Sequence, residues 1–223
     1  MDEEIIATAV QRILGKLPEG VTLVAAAKSR TVEEIRAAIR AGVTCLGLNY
    51  VQEAACVVPL IEEPVCWHMI GHLQRNKAQR AVQLFDMIET LDSWRLAQEI
   101  ELRCAANDKV MSVLVEVNSG REASKTGVLP EEVDELVWQV SKLPHIRLQG
   151  LMTMGPRFGD PEDARPYFRA TREAFERLAA ANIPHVEMRY LSMGMSNSYQ
   201  VAIEEGANMV RIGTLLFGER PEQ

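Results

Sequence analysis

The sequence predicts one domain, residues 1–223, folded as a (β/α)8 TIM barrel with an extra N-terminal helix before its first strand. Three observations lead there. Short apolar runs alternate with amphipathic stretches of helical period along the whole chain, which implies parallel strands joined by helical crossovers. Eight strand–helix pairs can be counted, and eight in one domain favour closure over an open sheet. The 223 residues, 47% of them hydrophobic, suffice for one such core, and no linker, low-complexity tract or composition shift divides them.

The elements follow in order. Over residues 3–17, Ile5, Ile6, Ala9, Val10, Ile13 and Leu14 have helical spacing, stopped by Gly15 and Pro18. The Val- and Ala-rich run 21–27 reads as a buried strand. Thr31 with Glu34 three residues on forms a capping box, so a helix covers 31–41 and Gly42 ends it. The unit then repeats: strand 43–48, helix 50–62, strand 65–70, helix 75–83, strand 85–89. Asp92 or Ser93 caps a helix reaching Ala106, and 109–117 reads as the longest strand. A helix over 130–143 precedes a strand over 146–152, and Asp160 or Asp163 opens a helix to Asn182. Strands over 187–191 and 209–212 flank a helix at 197–206, and a short tail ends the chain.

Charge narrows the partners. Lys and Arg number 24 against 31 Asp and Glu, a formal charge of −7. Nucleic acid and anionic membranes need a net basic face, so neither is expected as the main partner. Arg75, Asn76, Lys77 and Arg80 make the one local basic cluster, which a solvated helix face explains. The start, Met1-Asp2-Glu3-Glu4, is acidic where a signal peptide is basic, and no run of about 18 apolar residues occurs. Cys45, Cys56, Cys66 and Cys104 lack close metal-ligand spacing and suit reduced thiols of a cytoplasmic protein.

In this fold chemistry sits at the C-terminal ends of the strands. The polar residues falling there are Lys28, Asn49, His68, Asn118, Thr153, Ser192 and Arg211. Lys28 ends the run Val-Ala-Ala-Ala; burial at a barrel mouth would favour its neutral amine and so a Schiff base, whereas a solvated strand-end lysine would be inert. Leu191-Ser-Met-Gly-Met-Ser196 and Val210-Arg-Ile-Gly-Thr214 follow strands seven and eight, the usual phosphate position of the fold. There Ser192, Ser196 and Thr214 offer hydroxyls, and Gly194 and Gly213 admit a close approach. Arg211 is placed either to clamp a phosphate or to point inward at a ring. His68 and His72 have zinc-like spacing, but Gly71 breaks the helix and no Glu follows His68, so no metal is expected and His68 is free to pack on a ring. His145 and His185 lie beside prolines and carry no role.

Taken together these segments resemble the YggS-type pyridoxal phosphate (PLP) homeostasis proteins. The resemblance rests on Ala27-Lys-Ser29, Asn49-Tyr-Val-Gln-Glu53, Trp67-His-Met-Ile-Gly-His-Leu-Gln-Arg-Asn-Lys77, Val117-Asn-Ser-Gly120, Ser124-Lys-Thr-Gly127, Gly150-Leu-Met-Thr-Met154 and the two phosphate-type loops. They are collinear over nearly the whole chain. The resemblance implies a barrel like the N-terminal domain of alanine racemase, a fold type III PLP protein, with the cofactor held as a Schiff base on Lys28. It further implies phosphate contacts from Ser192, Met193, Gly194, Gly213 and Thr214. Arg211 would face the pyridine nitrogen, Asn49 would lie near the phenolic oxygen, and His68 and Met154 would line the site. Where the family has Gly-Glu-Asn-Tyr this chain has Gly47-Leu-Asn-Tyr50, which is expected to remove a carboxylate near the site.

Function turns on Arg211. A guanidinium only donates, so it keeps a pyridine nitrogen unprotonated and weakens the electron sink that carbanion chemistry needs. A non-catalytic carrier, reservoir or regulator of cellular PLP is therefore expected, acting as a monomer with apo-enzymes or regulatory proteins as possible partners. Two other classes compete. A racemase-like enzyme would need an acid or base facing Lys28, with His68 and Tyr50 as the candidates; a cofactor-free Schiff-base aldolase would lack any visible colour.

Overall fold

The computed structural model describes residues 2–122, 125–156 and 158–219. Eight strands close a barrel in chain order, with β8 returning to β1. They are β1 Thr22–Ala26, β2 Cys45–Leu48, β3 Cys66–Met69, β4 Met87–Leu91, β5 Met111–Val117, β6 Ile146–Thr153, β7 Val186–Ser192 and β8 Met209–Ile212, every pair parallel. The helices are α1 Glu3–Leu14, α2 Val32–Arg40, α3 Val51–Val57, α4 Ala78–Leu84, α5 Trp94–Ala105, α6 Val133–Val140, α7 Arg165–Ala180, α8 Tyr199–Glu204 and α9 Thr214–Phe217. The barrel fold read from the alternating pattern is therefore the one observed.

Local chemistry sets the boundaries. Thr31 accepts from the Glu34 N–H at 3.2 Å and Glu34 accepts from the Thr31 N–H at 3.0 Å, the capping box that starts α2. Ser93, not Asp92, caps α5 by accepting from the Leu96 N–H. The helix expected over 50–62 is shorter: Pro59 lacks a donor, and the chain tightens into a 3-10 turn at Val58–Leu60. The tail expected after β8 begins with the one-turn helix α9. The longest strand is the eight-residue β6, not the 109–117 segment, of which seven residues form β5.

Alternation along each strand sorts side chains into two layers. Leu23, Ala25, Leu46, Leu48, Val113, Val115, Val210 and Ile212 belong to the large core that includes the helices. Val24, Ile70, Met87, Leu114, Met152 and Met209 form a separate core inside the barrel. Gly47 faces inward, because a Cβ there would lie 2.6 Å from Ile70 Cδ1 and 3.0 Å from Val24 Cγ1. This parity decides which strand-end residues can reach the barrel mouth.

Candidate functional site

Lys28 lies two residues beyond β1, on the inward parity of Val24 and Ala26, at the mouth. It is half-buried, so the desolvation expected from its neighbours is partial. Its Nζ is 3.3 Å from the Tyr50 hydroxyl and 4.8 Å from the centre of that ring. The turn holding it is fixed from behind: Ser29 has φ 60°, and its N–H donates to Glu53 Oε1. Register carries the neighbours to the same end. The Ala27 N–H donates to the Gly47 carbonyl, which brings Asn49 alongside, and Ala25 pairs with Ile212, which brings Gly213 alongside. Asn49 is half-buried there.

The two loops expected to hold an anion meet at one oxygen. Ser196 Oγ accepts from the Gly213 N–H at 3.3 Å and the Leu215 N–H at 3.4 Å. Gly194 sits at φ 90°, a region costly for residues with a Cβ, and a Cβ there would press on Ala202 and on the Tyr199 backbone. The Arg211 N–H donates to the Gly194 carbonyl, which ties the β7 loop to β8. Thr214 opens α9 and is exposed.

Beneath the mouth lies a buried polar layer that the sequence reading missed in part. Glu89, fully buried on β4, accepts from the Ser192 hydroxyl at 2.6 Å and is bonded to His68 Nδ1 at 2.7 Å. Arg211, 4% exposed, donates through Nη1 to Ser192 Oγ at 2.6 Å and through Nη2 to the Thr153 carbonyl at 2.8 Å. Its Nη1 is 3.7 Å from Glu89 Oε2. Glu116, 2% exposed on β5, accepts from the Thr126 hydroxyl at 2.7 Å through Oε1, and its Oε2 has no partner. Burial pushes the Glu116 carboxyl above its usual range.

Several sequence expectations change here. The Ser192 hydroxyl is spent on Glu89 and Arg211 inside the barrel and is not presented to a phosphate. Met193 packs its side chain into the outer core, so only its backbone borders the loop. His68 is 5% exposed, one inward position below Ile70, and engages Glu89 rather than lining the mouth. Leu48, fully buried, points toward the helices, so a carboxylate at that position would not face the site. Met154 is half-buried against the inner core, as a lining residue requires. Asn118 organises its own loop, donating to the Glu122 carbonyl at 2.9 Å. Ser124 of the quoted segment lies outside the described residues. Glu89 and Glu116 were detectable as charges at inward parity, two residues after Met87 and Leu114.

The imidazole of His68 has a signature in stability. Burial alone lowers it, but hydrogen bonds to Cys45 and Glu89, and their charges, win and raise it from 6.5 to about 9. A group raised in the folded state stabilises fully below its unfolded value and loses that contribution as pH rises through its folded value. Denaturation midpoints of the wild type should therefore carry a decline between pH 6.5 and about 9 that His68→Gln lacks. Parallel curves for the two proteins would show that this imidazole is neutral.

Comparison with known proteins places this arrangement. The alanine racemase N-terminal domain model matches residues 2–221. A pyridoxal phosphate homeostasis protein of Aquifex aeolicus is 44% identical over 199 residues, covering 89% of this chain and 86% of that one. PipY of Synechococcus elongatus, solved with PLP bound, superposes with TM-score 0.88 at 31% identity over 96% of this chain and all of its own. An alanine racemase of Clostridium difficile shares the fold, TM-score 0.78 at 19% identity, over 99% of this chain and 57% of its own.

Proposed function

The chain belongs to the pyridoxal phosphate homeostasis protein family, and on that premise we propose that Lys28 holds PLP at the barrel mouth for cofactor storage, delivery or sensing rather than turnover. The observation that carries this is the juxtaposition of two ends of one ligand's requirements. A half-buried amine just beyond β1 adjoins, just beyond the neighbouring β8, backbone donors that already converge on a single oxygen, Ser196 Oγ. An amine for an aldehyde and converging donors for a phosphate fit PLP.

When bound, the cofactor supplies an aldehyde that lysine captures and a ring that can take up charge. Lys28 supplies the amine, and the Tyr50 hydroxyl at 3.3 Å holds Nζ and can exchange a proton with it. The N–H groups of Gly213 and Leu215, now on Ser196 Oγ, would hold the phosphate, and Ser196 and Thr214 would add hydroxyls. Asn49 and Met154 would border the ring. Arg211, held by Ser192 and Thr153 and balanced by Glu89, would supply the cation on its side. Because a guanidinium donates and does not accept, it opposes protonation of the ring nitrogen and keeps the sink weak. His68 and Ser192 act through Arg211 and Glu89 and do not touch the ligand.

A two-part titration tests this reading. Non-phosphorylated pyridoxal should bind at least ~100-fold more weakly than PLP, since charge-assisted hydrogen bonds contribute about 1.5–3 kcal/mol each. The loaded protein, given L- and D-amino acids in deuterated water, should exchange α-protons at the rate of free PLP. Equal dissociation constants would remove the phosphate site. Exchange at roughly 1–10³ s⁻¹, the range of enzymes, would replace storage with racemase-like catalysis.

A further inference from the structure

A second cluster of reactive groups lies at the opposite, N-terminal end of the strands. Cys45 opens β2 and Cys66 opens β3, and the two are direct partners in the parallel register. Both have the inward parity of Gly47 and His68. Cys66 is exposed and Cys45 half-buried, so the pair can be reached from outside the barrel floor. Burial pushes the Cys66 thiol up and the neighbouring Cys45 pushes it further; Cys45 also helps raise the imidazole of His68 against its burial. His68 Nδ1 is held by Glu89 at 2.7 Å. Four groups thus stand in series: Cys66, Cys45, His68, Glu89. Partner positions on adjacent strands lie about 4.7–4.9 Å apart, inside the Cα separation of roughly 4.4–6.8 Å that a disulfide spans.

We propose that Cys45 and Cys66 are a redox dithiol, closed to a disulfide by a small hydroperoxide, with Cys45 attacking and His68 handling the proton. Cys45, its proton released to water, accepts a hydrogen bond from the His68 ring and attacks the terminal peroxide oxygen. The S–O bond forms and the O–O bond breaks; the departing oxygen takes a proton from His68, which water restores. Cys45 is then a sulfenic acid. The Cys66 sulfur attacks the Cys45 sulfur, an S–S bond replaces S–O, and the hydroxide leaves as water with the Cys66 proton. One peroxide gains two electrons and two thiols lose them. The raised imidazole of His68 suits this role, since it carries a proton at neutral pH. The remaining cysteines are internal controls. Cys104 is fully buried with its thiol pushed up to about 11 by burial, and Cys56 is exposed on α3.

The test treats reduced protein with hydrogen peroxide, alkylates it and maps peptides. A Cys45–Cys66 linked peptide should appear while Cys56 and Cys104 stay alkylated. In Cys66→Ser the reaction should stop at a Cys45 sulfenic acid that dimedone traps, and Cys45→Ser should form no intramolecular link. His68→Gln should slow formation at least ~10-fold, by removal of the proton donor. Oxidation of Cys56 as fast as Cys45, a link only between molecules, or no dimedone adduct on Cys45 in Cys66→Ser would each overturn the proposal. None of these readouts depends on PLP.

Discussion

Lys28→Ala is expected to abolish covalent capture of PLP completely. Wild-type protein loaded with PLP should absorb at about 420 nm, the region of a protonated imine, and borohydride should fix the cofactor to Lys28. In the variant both the band and the fixed adduct should vanish, while weak non-covalent binding through the phosphate donors survives. Another lysine after a strand end is Lys125, tied to Glu122 at 2.5 Å and to the Gly155 carbonyl at 3.4 Å. A borohydride adduct mapped to Lys125 in the wild type would transfer the attachment there and refute the assignment.

Arg211→Ala should be the most destabilising single change in the buried layer. It removes one of the two cations facing Glu89 and a charge felt by Glu116, and it takes a donor from both the Ser192 hydroxyl and the Thr153 carbonyl. Breaking a buried ion pair by removing one partner costs about 3–5 kcal/mol. Chemical denaturation should show that loss as a shifted midpoint. Arg211→Lys should recover little, because a single ammonium cannot serve Ser192 and Thr153 as the guanidinium fork does. A loss below about 1 kcal/mol for Arg211→Ala would mean that the layer reorganises without its cation.

The barrel was legible because most strands are buried on both faces and so advertise themselves as apolar runs; β7, with Glu187 and Arg189 exposed, is the exception. The mouth was legible for the same reason: where such a run stops, the next polar residue is at the rim, as with Lys28 and Asn49. What a run conceals is parity. Ser192 and Met193 are neighbours in sequence, yet one enters the barrel and the other the helix layer. Leu48 illustrates the same point, since only the inward direction of Gly47 reveals that position 48 faces away. Glu89 and Glu116 were hidden by strand apolarity, although a carboxylate at inward parity announces a buried partner. The Cys45–Cys66 pairing depends on interstrand register, which no single segment encodes.

A protein that lends out its ligand faces a problem that an enzyme with a resident cofactor does not: the donors left behind must be quenched, or the empty mouth will collapse or recruit something else. On the proposed reading the Ser196 hydroxyl answers it. Resting on the Gly213 and Leu215 amides, it would serve as a parking brake in place of a phosphate oxygen. Loading would then be an exchange of one oxygen for another rather than a binding event into bare amides, with affinity tempered in proportion.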